Sequence, residues 1–394
     1  MSTIFGTGMS RQRNPEAAAQ EVVDQALRTG PIDEPDFAFL FASVGYDQAA
    51  LVESVWEAAG RIPLVGCSGE GIIVGDEPDE SNFAVALLLG QSDSVSFRHG
   101  LVSGLKENCG SAGRTLADQV APLTADDRLL FLFPDGMTVT ADELLAGFDE
   151  GLEEVGHLPV LGGTAADNNT YEQSYQYYDG KVAQDGAAWA VLSGAVQVVP
   201  VVGHGCVPIG LDLTLTDVDR QTVKEIDGKP AIEVFRDYLS SDELTDWQPV
   251  ILSLPFGFPA VGADGVEGYV PYVSLSQNAE TGAIRLPILA SEGTRVRLMR
   301  RDIDLLLTSA DEIARKVNED LGHRTPDLIM HFECAGRGRH FLREEPTRQL
   351  FRRLQSQLPS VPRIGFYGYG ELCPVSGRNR VHQFTSVVAA LVCS

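Results

Sequence analysis

The sequence predicts an α/β protein with mixed sheets (α+β in the wider sense), built as two domains from repeated strand-helix-strand-strand units. Three observations carry this. The chain has 394 residues and a hydrophobic fraction of 44%, enough for more than one packed core. The pattern apolar-Pro-x-apolar-Gly occurs three times, as IPLVG from Ile62, LPVLG from Leu158 and VPRIG from Val361. Around each copy the same succession of strand-like and helix-like runs recurs, the sequence sign of an internal repeat.

The elements follow in order. DFAFLFAS, RLLFLFP and DLIMHFE are short apolar runs of strand length. Each is followed by a helix-like stretch, LVESVWEAAG, ADELLAGFDEGLEEVG and PTRQLFRRLQSQL. The Pro-containing strand comes next, with Pro63, Pro159 and Pro362 at its start, where a missing N–H costs little. A glycine-rich or small-residue turn follows each one: CSGEG, GTAADN and FYGYGELCP. A last apolar run closes the unit, FAVALLL, AAWAVL or FTSVVAALV. The first two strands of each unit should be parallel and joined by a right-handed crossover helix. The third should return antiparallel. Ligands collect outside the carboxyl ends of parallel strands, and the three turns leave from such ends.

The region between the second and third units reads differently. VQVVPVVGHGCVPIG is a strand ending in a Gly-His-Gly-Cys turn. An alternating strand, a tight Asp227–Gly228 turn and a helix opening near Pro230 come after it. Residues 249–300 read as further strands and residues 302–321 as one helix. The domains are expected at 34–200 and 201–394, after a lead-in segment at 1–33 that is the one stretch without a fold signal.

Composition narrows the function. The formal net charge is −25, which repels phosphate backbones and anionic lipid headgroups, so no nucleic-acid or membrane partner is expected. The most apolar run, from Ala187 to Gly203, is broken by Ser193, Gln197 and Pro200 and is too short to span a bilayer. No apolar segment at the start resembles a signal peptide, and six cysteines without paired spacing fit reduced thiols. A cytoplasmic protein is expected.

The ordered set GCSGEG, GGTAADN, GHGCVPIG, EIDGKPA, ECAGRG and GFYGYGEL resembles the FIST domain, a paired N- and C-terminal sensory module of bacterial signal-transduction proteins. The resemblance runs from about residue 34 to the end. It implies a sensor of small molecules such as amino acids, signalling in trans to a histidine kinase or other output protein. A stand-alone chain of this length also resembles the nitric-oxide-sensing haem proteins of the family, so haem is the cofactor it implies.

The residues offer several chemistries. Cys67 and Ser68 would be nucleophiles of a hydrolase or transferase if GCSGEG were a nucleophile elbow. Its glycines are out of register for Gly-x-Ser-x-Gly and a strand follows, not a helix. A packed turn whose N–H groups face a pocket is the better reading, shared with Gly163 and Thr164; a binding protein is expected rather than an enzyme. Arg337, with Glu371 or Asp167, would grip the two charged ends of an amino acid, and Tyr367 would line the pocket. Alternatively Arg337 and Glu371 pair with one another. His204 is the first candidate axial ligand for haem, with His331, His340 and His382 behind it, and Cys206 beside His204 is a soft ligand. An iron–sulfur cluster would need Cys67, Cys206, Cys334 and Cys373 to converge. Spacing for a zinc site is absent.

Overall fold

The computed structural model describes residues 3–236, 238–240, 242, 252–261 and 267–394. A succession of eight elements opens the chain: β1 (Thr3–Ser10), α1 (Pro15–Thr29), β2 (Phe37–Ala42), α2 (Gln48–Ala58), β3 (Leu64–Ser68), β4 (Gly71–Val74), β5 (Glu77–Asp79) and β6 (Val85–Ser92). The same order returns as β7 (Val95–Ser103), α3 (Cys109–Val120), β8 (Asp127–Pro134), α4 (Ala141–Gly151), β9 (Val160–Gly163), β10 (Gln176–Tyr178), β11 (Lys181–Ala183) and β12 (Gly186–Gly194).

The third succession starts with β13 (Val196–Gly203) and is then interrupted. The insert contains β14 (Cys206–Asp219), β15 (Thr222–Ile226), β16 (Lys229–Pro230), β17 (Phe256–Val261), β18 (Glu267–Tyr272), β19 (Ser276–Gln277), β20 (Ile284–Arg285) and β21 (Arg295–Arg301). The succession resumes with α5 (Ile303–Leu321), β22 (Leu328–Cys334), a short α6 (Arg339–Leu342), α7 (Glu344–Gln355), β23 (Arg363–Gly368), β24 (Glu371–Leu372), β25 (Val381–His382) and β26 (Ser386–Cys393).

Each succession therefore begins one strand and one helix earlier than the sequence suggests. Residues 1–33, expected to carry no fold, supply β1 and α1. Local chemistry explains the helix: the Asn14 side chain accepts from Ala17 N at 2.7 Å, Pro15 sits in the first turn, and Ala18, Val22 and Ala26 form a buried stripe. In the insert the helix expected near Pro230 is a 3-10 turn over Ala231–Phe235, residues 252–253 are helical where strand is expected, and residues 249–251 and 262–266 of the expected strands lie outside the described residues. Asp227 and Gly228 take φ of 49° and 72°, as a two-residue hairpin between β15 and β16 demands.

The strands assemble cyclically. The sheet orders are β1-β6-β2-β3-β10-β11, β7-β12-β8-β9-β24-β25 and β13-β26-β22-β23-β4-β5. Each sheet holds four strands of one succession and a hairpin donated by another. β2 with β3, β8 with β9, and β22 with β23 are parallel, and β6, β12 and β26 return antiparallel, as the pattern requires. Residues 200 and 201, where the sequence divides the chain, are neighbours within β13, which pairs with β26. β14, β15 and β17–β21 form the eight-stranded fourth sheet, with β16 paired to β15.

The recurring Pro-x-apolar-Gly motif has a packing reason. The carbonyls of Pro63, Pro159 and Pro362 accept from Ala38 N, Leu130 N and Ile329 N at 2.8, 2.9 and 3.0 Å, opening each parallel ladder. A Cβ on Gly66, Gly162 or Gly365 would lie 1.7, 2.2 or 1.6 Å from the carbonyl oxygen of Leu40, Leu132 or His331. Only glycine allows the second strand this close to the first.

The inner faces of the three sheets share one apolar cluster. Phe41, Phe133 and Phe332 occupy equivalent places on β2, β8 and β22, and Phe366 touches all three with ring centroids 4.8, 6.0 and 5.7 Å away. Such edge-on and tilted pairs add about 0.5–1.5 kcal/mol each beyond area burial. The helices pack on the outer faces: α1 and α2 on the first sheet, α3 and α4 on the second, and α5 and α7 on the third. Among the described residues no helix is long and apolar enough to cross a membrane.

Candidate functional site

The three glycine-rich turns bond to one another. Glu70 N donates to Tyr367 O at 2.8 Å, Ala166 N to Ser68 O at 3.0 Å and Thr164 N to Gly370 O at 2.8 Å. These three N–H groups are thus spent on neighbouring turns, and those of Ser68, Gly69 and Ala165 on Tyr175 O, Ala42 O and Pro134 O. Ser68 Oγ donates to Ala166 O at 2.7 Å and accepts from Tyr175 N at 2.9 Å. Cys67 lies wholly buried in the shared apolar cluster, and burial pushes its thiol well up. Neither side chain faces a space that a substrate could enter. Gly163 pairs with Glu371 across β9 and β24, and Tyr367 packs on Ile73 and Phe351.

The three charged residues that the sequence joins into one amino-acid site are each engaged elsewhere. Arg337 donates from Nε to Glu333, at the end of β22, and from a terminal nitrogen to His204 O at 3.0 Å. Its partner is Glu333, not Glu371. Glu333 also bonds His331 Nε2 at 2.8 Å, and Ser386 Oγ reaches the same nitrogen at 2.9 Å. Burial would raise the Glu333 carboxyl, but Arg337 and His331 outweigh it and hold it below its usual value. Asp167 accepts from Thr170 Oγ1 at 2.6 Å, Tyr369 Oη at 2.5 Å, and the amides of Tyr171, Glu172 and Gln173 at 3.1, 2.7 and 2.9 Å. It organises its own loop. Glu371 is wholly enclosed: Oε2 accepts from Thr385 Oγ1 at 2.7 Å, Oε1 has no partner, and burial raises the carboxyl well above the usual range.

His204 has one ring nitrogen engaged: Nδ1 accepts the Cys206 amide at 2.9 Å. Burial lowers its pKa to about 4. Cys206 and Cys334 pack together with Met299, Phe384 and Val273, whereas Cys67 lies in a different cluster and Cys373 joins Cys67 there. The four cysteines do not converge. Among the described residues no group of three or more His, Cys, Asp or Glu side chains could hold a metal.

What the strand ends do build is a cavity of about 810 Å³. Loop 136–141 after β8, together with Thr164, Asn169 and Tyr171 after β9, forms one wall. Cys334 to Gly336 after β22, His340 and Phe341 of α6, and Tyr369 after β23 form the next. The insert closes it with Gln221, Leu252, Val273, Leu275, Arg285 and Pro287. Of the residues that the sequence singles out for ligand binding, Thr164 borders this space. Tyr171 and Tyr369 stack with centroids 5.2 Å apart. At that end Glu70 Oε1 takes Asn169 Nδ2 at 2.7 Å and His340 Nε2 at 3.0 Å, while Oε2 has no partner. Burial, with Glu80 nearby, raises the Glu70 carboxyl to about 8.

Sequence patterns match this architecture as they stand. The FIST N domain pattern matches residues 36–229 and the FIST C domain pattern residues 231–374. The chain belongs to the FIST family. An uncharacterized protein of Mycobacterium bovis is 26% identical, over 98% of this FIST chain and 98% of its own length. One of Mycobacterium tuberculosis is likewise 26% identical, over 98% of this chain and 99% of its own. One of Methanocaldococcus jannaschii is 28% identical over 56% of this chain and 43% of its own length. Among solved structures, the cyanuric acid hydrolase from A. caulinodans covers 99% of both chains at 10% identity and a TM-score of 0.37. A chorismatase covers 100% of this chain and 99% of its own at 8% identity and 0.35. At those scores neither fold nor activity is carried over.

The cavity of this FIST protein contains groups that sequence patterns did not mark. Phe341, Gln383 with Phe384, Thr138 and Arg285 come from four separate segments. Nothing local distinguishes them from ordinary core or surface residues. Only the loops that carry some of them were legible, because they leave from the carboxyl ends of parallel strands.

Proposed function

We propose that this FIST protein is the sensory, small-ligand-binding component of a bacterial signal-transduction pathway, and that it reports in trans to a histidine kinase or another output protein. One observation carries the reading. The cavity is bounded on one side by loops of the three-sheet core and on the other by the inserted sheet. A molecule held there touches both, so occupancy favours one arrangement of insert and core over others. That is the physical requirement of a sensor. The family match supports the same role.

An amino acid is one ligand class that the family resemblance implies. Thr164 and the ring of Tyr369 border the cavity, while Arg337, Asp167 and Glu371 are engaged elsewhere. A haem-based nitric-oxide sensor finds no support in His204.

The test is thermal unfolding of the purified chain with and without the small-molecule fraction of its host cells. A ligand specific to the folded state raises the apparent melting temperature. Thr140→Trp places an indole at the cavity wall and removes no capping bond, because the Thr140 side chain makes none. The rise should vanish in that variant. Equal stabilisation of wild type and variant, or none of either, would sink the proposal.

A further inference from the structure

The charge of the cavity wall is opposite in character to that of the chain. The chain has 55 acidic and 30 basic residues. Yet among the described residues that line the cavity there is no carboxylate, and Arg285 supplies a cation. Behind the wall, burial raises the carboxyls of Glu70, Asp142 and Glu371, whereas Asp167 and Glu333 are held below their usual values by their hydrogen-bond and charge partners.

A second guanidinium lies just behind the lining. Arg301, at the end of β21, is buried and has no carboxylate partner among the described residues. Its faces are covered by Phe341 and Phe384, with the guanidinium carbon 4.1 and 4.2 Å from the ring centroids. Its terminal nitrogens donate to Leu252 O at 3.2 Å and Gly336 O at 2.6 Å, and Nε has no partner. All four of these covering residues line the cavity. Gly336 is the thinnest cover a chain can offer: a Cβ placed there would sit 3.4 Å from the guanidinium. A buried cation without a counter-ion projects its field into the nearest low-dielectric space, where it is little screened.

Neutral donors lie on the same walls. Gln383 uses its oxygen to accept Val273 N at 2.8 Å, which leaves its amide N–H groups beside the Arg301 corner. Thr138 lines the cavity, and its Oγ1 is buried without a partner. The first turn of α4 also borders it, with the positive end of the helix dipole. The remaining wall mixes aliphatic and small residues with four aromatic rings, Tyr171, Phe341, Tyr369 and Phe384.

We propose that the ligand of this cavity is a small aromatic carboxylate, with its anionic group in the Arg301–Gln383 corner and its ring against the aromatic side chains. This rests on the cavity being the ligand site and adds the ligand's charge and shape. It also separates the ligand from an amino acid, because no described carboxylate lines the cavity to receive an ammonium group.

The experiment is calorimetric titration of the whole chain with one ring skeleton in four forms: phenylacetate, phenylacetamide, phenethylammonium and L-phenylalanine. Phenylacetate should bind at least ten-fold more tightly than the other three. Arg301→Met should weaken it ten-fold or more, Arg301→Lys less, and Arg285→Gln about three-fold. If Arg301→Met does not fold, the acid-against-amide ratio and Arg285→Gln decide. Amide or ammonium binding as tight as the acid's, abolished by Thr140→Trp, overturns the anion assignment and leaves the cavity as the ligand site. No heat from any of the four overturns the aromatic-carboxylate class, while the host-cell fraction still decides the sensor reading by itself.

Discussion

Arg337 and Glu333 form an ion pair sealed inside the protein, the guanidinium reaching back over the end of β22 to a carboxylate that also holds His331. The pair ties the loop after β22 to the strand it leaves, and through His204 O to the turn where the insert begins. A charge so placed is worth most when its partner is missing.

Removing that partner should therefore be costly. Arg337→Met leaves Glu333 buried with only His331 and should destabilise the chain by about 3–5 kcal/mol. Arg337→Met with Glu333→Gln should recover part of the loss, because the uncompensated charge is gone. Urea unfolding of the three proteins measures both. A single variant as stable as wild type would contradict the pairing.

Glu70 makes stability depend on pH with a definite sign. Its carboxyl has an ordinary value of 4.5 and is raised to about 8 in the folded chain, chiefly by burial. Between those values the folded state keeps a proton that the unfolded state has lost. Stability contributed by this group thus falls as pH rises through that window, by up to about 1.4 kcal/mol per pH unit. Glu70→Gln should flatten the fall. An unchanged slope in chemical denaturation at several pH values would exclude Glu70 as its source.

The close approach of the paired strands predicts an asymmetry between glycines. Gly365→Ala drives a methyl into the His331 carbonyl and should cost about 4 kcal/mol or prevent folding. Gly110 lies near the start of α3, and a Cβ there would meet nothing closer than Asn108 Oδ1 at 3.6 Å. Gly110→Ala should leave stability unchanged or raise it by up to about 1 kcal/mol. Thermal unfolding separates the two.

The CSGEG turn should behave as architecture. Ser68→Ala removes one hydroxyl that serves both Tyr175 N and Ala166 O in a buried place, at a cost of about 1–3 kcal/mol. Iodoacetamide should leave Cys67 unmodified in the native chain and alkylate it after unfolding, with Cys393, the one cysteine that is not fully buried, reacting first. Native-state alkylation at Cys67, read by peptide mass spectrometry, would reinstate it as a nucleophile.

Much of the fold was legible because it is written locally. The strand cores FAFLFA and LLFLF are apolar throughout since both faces of β2 and β8 are covered, by helices outside and by the other sheets inside, and LIMHFEC of β22 departs from this only at His331 and Glu333, which bond one another. PTRQLFRRLQ kept its amphipathic stripe: Thr347, Leu350, Phe351 and Leu354 are buried, and Arg348, Arg352 and Arg353 are exposed. β1, TIFGTGMS, was missed because its glycines mimic a loop. They are needed there because Gly6 and Gly8 pack against the α1 carbonyls of Ala26 and Val22.

The candidate site was legible in outline and not in detail. Cys334 to Gly336, Gly136, Thr164 and Tyr369 all border the cavity, in loops that the parallel-strand rule marks. The partner choices were not readable. Arg337 has Asp167, Glu333 and Glu371 within the same group of loops, and nothing in their spacing says which carboxylate it meets.

By itself, then, the sequence determined three related successions, their parallel pairs, the proline and glycine at each second strand, and membership of the FIST family. These depend on contacts within one succession, and residue patterns with periods of two and 3.6 record them. Only the tertiary structure decided that each hairpin joins another succession's sheet, that the turns bond to one another, and that among the described residues Arg301 has no carboxylate partner beside a cavity lined by no carboxylate. Those depend on pairings between residues far apart in the chain, for which hydrophobic pattern is silent, because many partners satisfy the same pattern and only three-dimensional packing selects among them.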